Sequence, residues 1–153
     1  MKLSAFLCLL PLIFAQVPPV AAQTEPPSTP VGALSRKAGV LLGAADYLQV
    51  FKSSKCGYAL SKTIPTAEEL LTQEVVPAFP DAFKLQVKSA FEGIKAERLR
   101  LAEHYVAEAL REARRKRDEQ TACGVAGGML LGIFASAMEG WTAQKVAYRA
   151  GRM

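Results

Sequence analysis

The chain of 153 residues contains one histidine and three cysteines, and each shortage excludes chemistry. A serine–histidine–acid site would have to use His104, and no nucleophile-elbow sequence is present to partner it. Arg100 stands four residues before His104 and Glu108 four after, a spacing that places the imidazole on a solvated helix face. A carboxylate metal site of the helical-bundle kind wants Glu-x-x-His, but Leu101 holds the position three before His104. A phosphate cradle is also missing. Gly127-Gly128 lies in an apolar stretch without the lysine and hydroxyl of a P-loop. The carboxylate pairs Glu68–Glu69 and Glu108–Glu112 read as helix-start and surface charges. These absences argue against an enzyme, a cofactor or a bound metal.

What is present begins with an export signal. One basic residue, Lys2, precedes an apolar run from Leu3 to Ala15, and Val20-Ala21-Ala22 supplies small residues for cleavage. That run is shorter than the about 20 residues a membrane span needs. Removing residues 1–22 leaves 131 residues, the size of one domain. It also lowers the net charge from +5 to +4, because Lys2 is the only charge lost. A basic excess this mild suits an anionic envelope surface or another envelope protein, and not nucleic acid. The expected location is periplasmic or secreted.

Export bears on the cysteines. Cys8 leaves with the signal, so Cys56 and Cys123 remain as an even pair in an oxidising compartment and are expected to form a disulfide. Closing the 67-residue loop between them would stabilise the fold by about 4 kcal/mol in the chain-entropy model. Two cysteines and one histidine cannot supply the four protein ligands of a structural zinc site. Neither cysteine sits in a Cys-x-x-Cys pair, so thiol–disulfide catalysis has no support.

The remaining pattern is helical, with no sustained strand alternation and no repeat of about 20–50 residues. Residues 23–32, with three prolines, form a flexible leader. Leu34, Ala38, Leu41, Ala45 and Leu48 recur at helical spacing from Ala33 to Ser53, with Val40, Tyr47 and Phe51 widening the stripe. Thr66 and Glu69 have capping-box spacing for a short second helix, which Pro77 stops after Val76. From Asp81 to near Asp118 one long helix is expected. Its stripe is Phe83, Val87, Ala90 and Ile94, then Leu101, Tyr105, Ala109 and Ala113, with a kink at Gly93. The expected fold is therefore all-α, a small bundle of three to four helices over residues 33–141 closed by one disulfide, followed by a C-terminal tail at 142–153.

The last helix, 121–141, carries the main ambiguity. From Thr121 to Met138 it has no charge, and Gly124, Gly128, Gly132, Ser136 and Gly140 fall at every fourth position. Such a stripe lets another backbone approach closely, a device of membrane helices. Trp141 could anchor at a bilayer surface. Against a span stand its modest content of large apolar residues and the "REARRKR" run at 111–117, which a cleaved signal would place on the outer side. Cys123 would also tie the helix to the globular part. The stripe is therefore expected to pack inside the domain, against Gly39, Gly43 and Ala44 of the first helix, which would make Gly128 intolerant of bulk.

The strongest charge feature is Arg111, Arg114, Arg115, Lys116 and Arg117. These cations complement a helix C-terminus, with Glu112 pairing to Lys116, or else form a contact patch for an anionic partner. The reading that follows is a small exported, non-catalytic helical protein acting as a binding or interaction module. The alternative is an envelope-membrane component whose glycine-striped helix inserts and oligomerises.

Overall fold

Thr29 opens the first helix: its hydroxyl accepts a hydrogen bond from the Gly32 N–H at 2.9 Å. Pro30 takes the first helical position, where a missing N–H costs nothing. The computed structural model describes residues 29–61 and 63–151 of the chain. Helix α1 is Pro30–Ser53, so the last residues assigned to the leader are the first turn of a helix that starts before Ala33. Leader residues 23–28 and the signal at 1–22 lie outside the described residues. Leu34, Ala38, Leu41, Ala45 and Leu48 are fully buried, as is Phe51. Val40 is not part of that stripe; it is 53% exposed.

Past α1 the Ser54 hydroxyl donates to the Phe51 carbonyl at 2.6 Å, and a short 3-10 turn, Gly57–Ala59, turns the chain. Gly57 is needed there, because a Cβ would stand 2.0 Å from the Lys52 carbonyl oxygen. Helix α2, Ala67–Leu70, has the capping box in full. Thr66 accepts from the Glu69 N–H at 3.1 Å, and Glu69 accepts from the Thr66 N–H at 2.8 Å. Regular α geometry ends at Leu70, earlier than Pro77 alone would dictate. The chain widens into a π turn at Leu71–Val75 and tightens into a 3-10 turn at Val76–Ala78, where Pro77 needs no N–H partner.

The long helix expected from Asp81 is two helices, α3 (Asp81–Gly93) and α4 (Lys95–Arg114), meeting at Ile94. Arg98 braces the break. Its Nε donates to Asp46 of α1 at 3.0 Å and its Nη1 to the Phe91 carbonyl at 3.5 Å. The inward face of this pair differs from the expected stripe. Phe91, Ala102 and Val106 are buried with Ala113, whereas Ile94, Leu101 and Tyr105 are 46%, 37% and 47% exposed. Small residues on α4 let its backbone come close to α1, and the bulkier neighbours are left at the rim.

Asp118 then caps α5, accepting from the Thr121 N–H and hydroxyl at 2.9 Å each. Helix α5 is Glu119–Gly151, ten residues beyond the expected end at Trp141. The positions read as a tail are helical as far as Gly151 because Tyr148 is buried and Lys145 pairs with Glu74 at 2.8 Å. Helices α1, α4 and α5 form the bundle. Asp46 meets Arg98 and Tyr47 stacks near Tyr105, so α1 and α4 run parallel. Phe51 lies beside Gly127 and Lys37 beside Gly140, so α5 runs antiparallel to α1. Two apolar clusters fill the interior. One gathers Leu41, Leu70, Val75, Phe79 and Trp141; the other gathers Phe51, Leu60, Val106, Ala126 and Leu130 around the two cysteines. Cys56 and Cys123 lie at disulfide distance, with Cα atoms 5.2 Å apart.

Candidate interaction surface

The orientation of α5 follows from its anchored residue. Cys123 faces inward at 2% exposure, and Ala126, Gly127, Leu130, Ala137, Trp141 and Tyr148 follow it at helical spacing on the buried side. Gly124 stands one residue on, about 100° around the helix. The stripe it begins therefore turns away from the core.

This corrects the packing expected of the stripe. Gly124, Gly128, Gly132 and Ser136 are exposed, and no neighbouring atom stands within 4 Å of a Cβ built on any of the three glycines. Gly140 is half-buried and touches only the Lys37 side chain, whose Nζ would be 3.5 Å from such a Cβ. The first helix does not interlock with the stripe through Gly39, Gly43 and Ala44: a Cβ on Gly43 would meet nothing within 4 Å. The glycine that does accept a close neighbour is Gly127, where a Cβ would stand 3.3 Å from Phe51 Cε1. Phe51 is a ring with no exposure, so the small residue is required by the core at 127 and not at 128.

The outward face of α5 has little charge. Between Glu119 and Lys145, Glu139 is the one charged residue, while Met129 and Ile133 are 47% and 46% exposed. Beside them a shallow groove of about 550 Å³ runs between α1 and α5, lined by Val40, Met129, Gly132, Ile133 and Ser136 with Lys37 at its edge. A smaller groove continues across Met129 and Ile133 to Tyr47 of α1 and to Tyr105 and Glu108 of α4. The exposed apolar residues of three helices thus adjoin one another, an arrangement that soluble surfaces seldom leave uncovered. Only a third of the most apolar eighteen-residue window of α5 is buried, and the helix is long and apolar enough to cross a membrane.

The other residues singled out in the sequence lie elsewhere. His104 is on the solvent side of α4 with its Nε2 3.5 Å from Glu108, and its ring meets Tyr105 edge-on. The basic run sits where α4 ends and α5 begins. Arg115 and Lys116 share Glu112 at 3.2 and 3.4 Å, and Arg114 reaches Glu119 at 3.9 Å. Among the described residues no three histidine, cysteine or acidic side chains come together as a metal site.

Asp46 is a buried acid, paired with Arg98 and almost fully withdrawn from solvent. Burial pushes its carboxyl above the ordinary aspartate range, because desolvation outweighs the attraction of Arg98 and Lys95. Neither residue lines the two grooves described above. The pair reads as a brace across the α3–α4 break, holding α4 against α1. Sequence reasoning passed over both residues, since a single aspartate and a distant arginine give no local signal. Comparison with known proteins adds nothing to these observations: no family model, curated protein or solved structure matches the chain.

Proposed function

We propose that this chain is a small exported, non-catalytic helical protein that acts as an interaction module, with the outward face of α5 as its contact surface for another envelope protein. The observation that carries the reading is that face itself, uncharged apart from Glu139 and centred on Met129 and Ile133. The export signal read at residues 1–22 and the Cys56–Cys123 pair support the periplasm or the exterior as its place of action. The solvent-exposed position of His104, where it meets only the surface carboxylate of Glu108 and the edge of Tyr105, supports a non-catalytic role.

The length and apolarity of α5 favour a second reading, in which the helix enters a bilayer and associates through its glycines. The bundle weighs against it. Helix α5 packs along α1 and α4, and α4 displays Glu97, Arg100, His104, Glu108 and Arg111 on its outer side. Inserting α5 would either strip it from its core or carry those charges into hydrocarbon.

A fractionation experiment with a paired variant tests the proposal. The mature protein should be released by osmotic shock and stay soluble without detergent. Met129→Glu with Ile133→Glu should keep the melting temperature and lose the native complex, reducing the apparent native mass to that of a monomer. An unchanged native mass in the double variant would overturn the assigned surface. Retention in the membrane pellet through an alkaline carbonate wash, with the signal cleaved, would overturn the soluble reading in favour of the bilayer one.

A further inference from the structure

The fold brings a second set of cations to the basic run. Lys52 and Lys55 belong to the end of α1 and the turn after it, more than fifty residues before Arg111, yet they reach the same end of the bundle. Lys55 pairs with Glu119, the carboxylate that also receives Arg114, and Cys56 lies against Cys123 beside them. Seven cations therefore gather here: Lys52, Lys55, Arg111 and the four at 114–117.

Three carboxylates answer them, and all are engaged. Glu112 is shared by Arg115 and Lys116, Glu119 by Lys55 and Arg114, and Asp118 is committed to capping α5. Lys52, Arg111 and Arg117 form no ion pair among the described residues. The other described residues hold nine cations against ten carboxylates, so the net positive charge of the described chain is concentrated at this end. Helix dipoles do not balance it. The C-termini of α1 and α4 contribute about half a negative charge each and the α5 N-terminus returns half a positive one, against an excess of four.

Lys55, Arg115 and Lys116 have side chains 60%, 77% and 74% exposed, and the two grooves described above lie further down the bundle. Tyr58, in the turn next to Cys56, is 66% exposed. Exposed cations beside an exposed tyrosine match a fluid anionic surface, where tyrosine sits at headgroup level.

We propose that this end of the bundle docks the protein onto an anionic lipid membrane, with Lys52, Arg111 and Arg117 supplying the unpaired charge and Tyr58 the interfacial contact. The proposal stands apart from the α5 contact surface, which uses a different face. Co-flotation of the mature protein with vesicles of phosphatidylglycerol and phosphatidylcholine, compared with phosphatidylcholine alone, tests it at about 0.1 M salt. Binding should require the anionic lipid and be lost as salt rises toward about 1 M, where the screening length falls to about 3 Å. Arg111→Gln with Arg117→Gln should weaken it roughly twenty-fivefold, at about fivefold per cation, with the circular dichroism spectrum unchanged. Met129→Glu with Ile133→Glu should leave it intact, which separates this surface from the α5 face. Equal binding to neutral vesicles, no flotation with anionic ones, or capture by soluble heparin or acidic protein without vesicle binding would each overturn the proposal.

Discussion

Adjacent glycines of α5 provide the sharpest test of how this helix is turned. Gly127 faces the core and Gly128 faces out, so the same substitution should have opposite effects at the two positions. At 127 a new Cβ already stands 3.3 Å from Phe51 Cε1 and 3.6 Å from Ala59 Cβ, and the ring has no solvent to retreat into. Gly127→Leu places a further isopropyl group in that space, and overpacking of this kind costs about 1–3 kcal/mol. Replacing a mid-helix glycine by leucine returns about 0.8 kcal/mol of helix propensity, too little to offset the upper part of that range. At 128 no neighbour stands within 4 Å, so the same propensity gain acts alone and Gly128→Leu should stabilise by about 0.8 kcal/mol. Urea unfolding of the two oxidised mature variants, followed by far-ultraviolet circular dichroism, measures both. The midpoints should move in opposite directions, with melting temperatures separated by about 4 °C for each kcal/mol of difference. A loss above about 1 kcal/mol in Gly128→Leu beside a neutral Gly127→Leu would show that the stripe is the packed face, and would refute an outward-turned Gly128.

Four further outcomes are expected. Peptide mapping without reductant should find the segments around Cys56 and Cys123 linked, and reduction should lower stability by about 4 kcal/mol; two free thiols in protein taken from its native compartment would contradict both the bridge and export. Arg98→Met should destabilise by about 3–5 kcal/mol, since it leaves the Asp46 carboxylate buried without its cation. Because the folded carboxyl of Asp46 titrates above its unfolded value, its stabilising contribution is full at low pH and is lost as pH rises through the folded titration. The exposed carboxylates Asp81, Glu97, Glu112, Asp118 and Glu119 are held low by their partners and act oppositely, but only at and below the ordinary carboxylate range. A fall in stability just above that range, absent in Asp46→Asn, is therefore the signature of Asp46, and a flat profile in the wild type would remove it. Finally, His104→Gln should change stability by less than about 0.5 kcal/mol, and loss of biological function in that variant with the fold intact would reverse the non-catalytic reading.

Local features of this chain are legible in its sequence. The Thr66–Glu69 capping box, the burial of Leu34 through Leu48 on α1, the weakness at Gly93 and the solvated position of His104 each depend on neighbours within one or two helical turns. Element ends are harder: α5 continues past Trp141 because Tyr148 is buried in the larger apolar cluster and Lys145 pairs with Glu74 of the π turn, and nothing near them in sequence announces those contacts.

The direction of the glycine stripe was decided by tertiary structure, although one clue was present. A cysteine bonded to a partner just past the first helix must point inward, and that fixes the phase of α5 with Gly124 about 100° off the core. Periodicity alone cannot supply this, since a helix of small uncharged residues has no polar face to mark its outside. The same limit hid the convergence of Lys52 and Lys55 on the 114–117 run. Sequence determined that this chain is helical, because helix formation rests on contacts three and four residues apart; which faces meet, and which are left to solvent, depends on pairs more than fifty residues apart that only the folded bundle brings together.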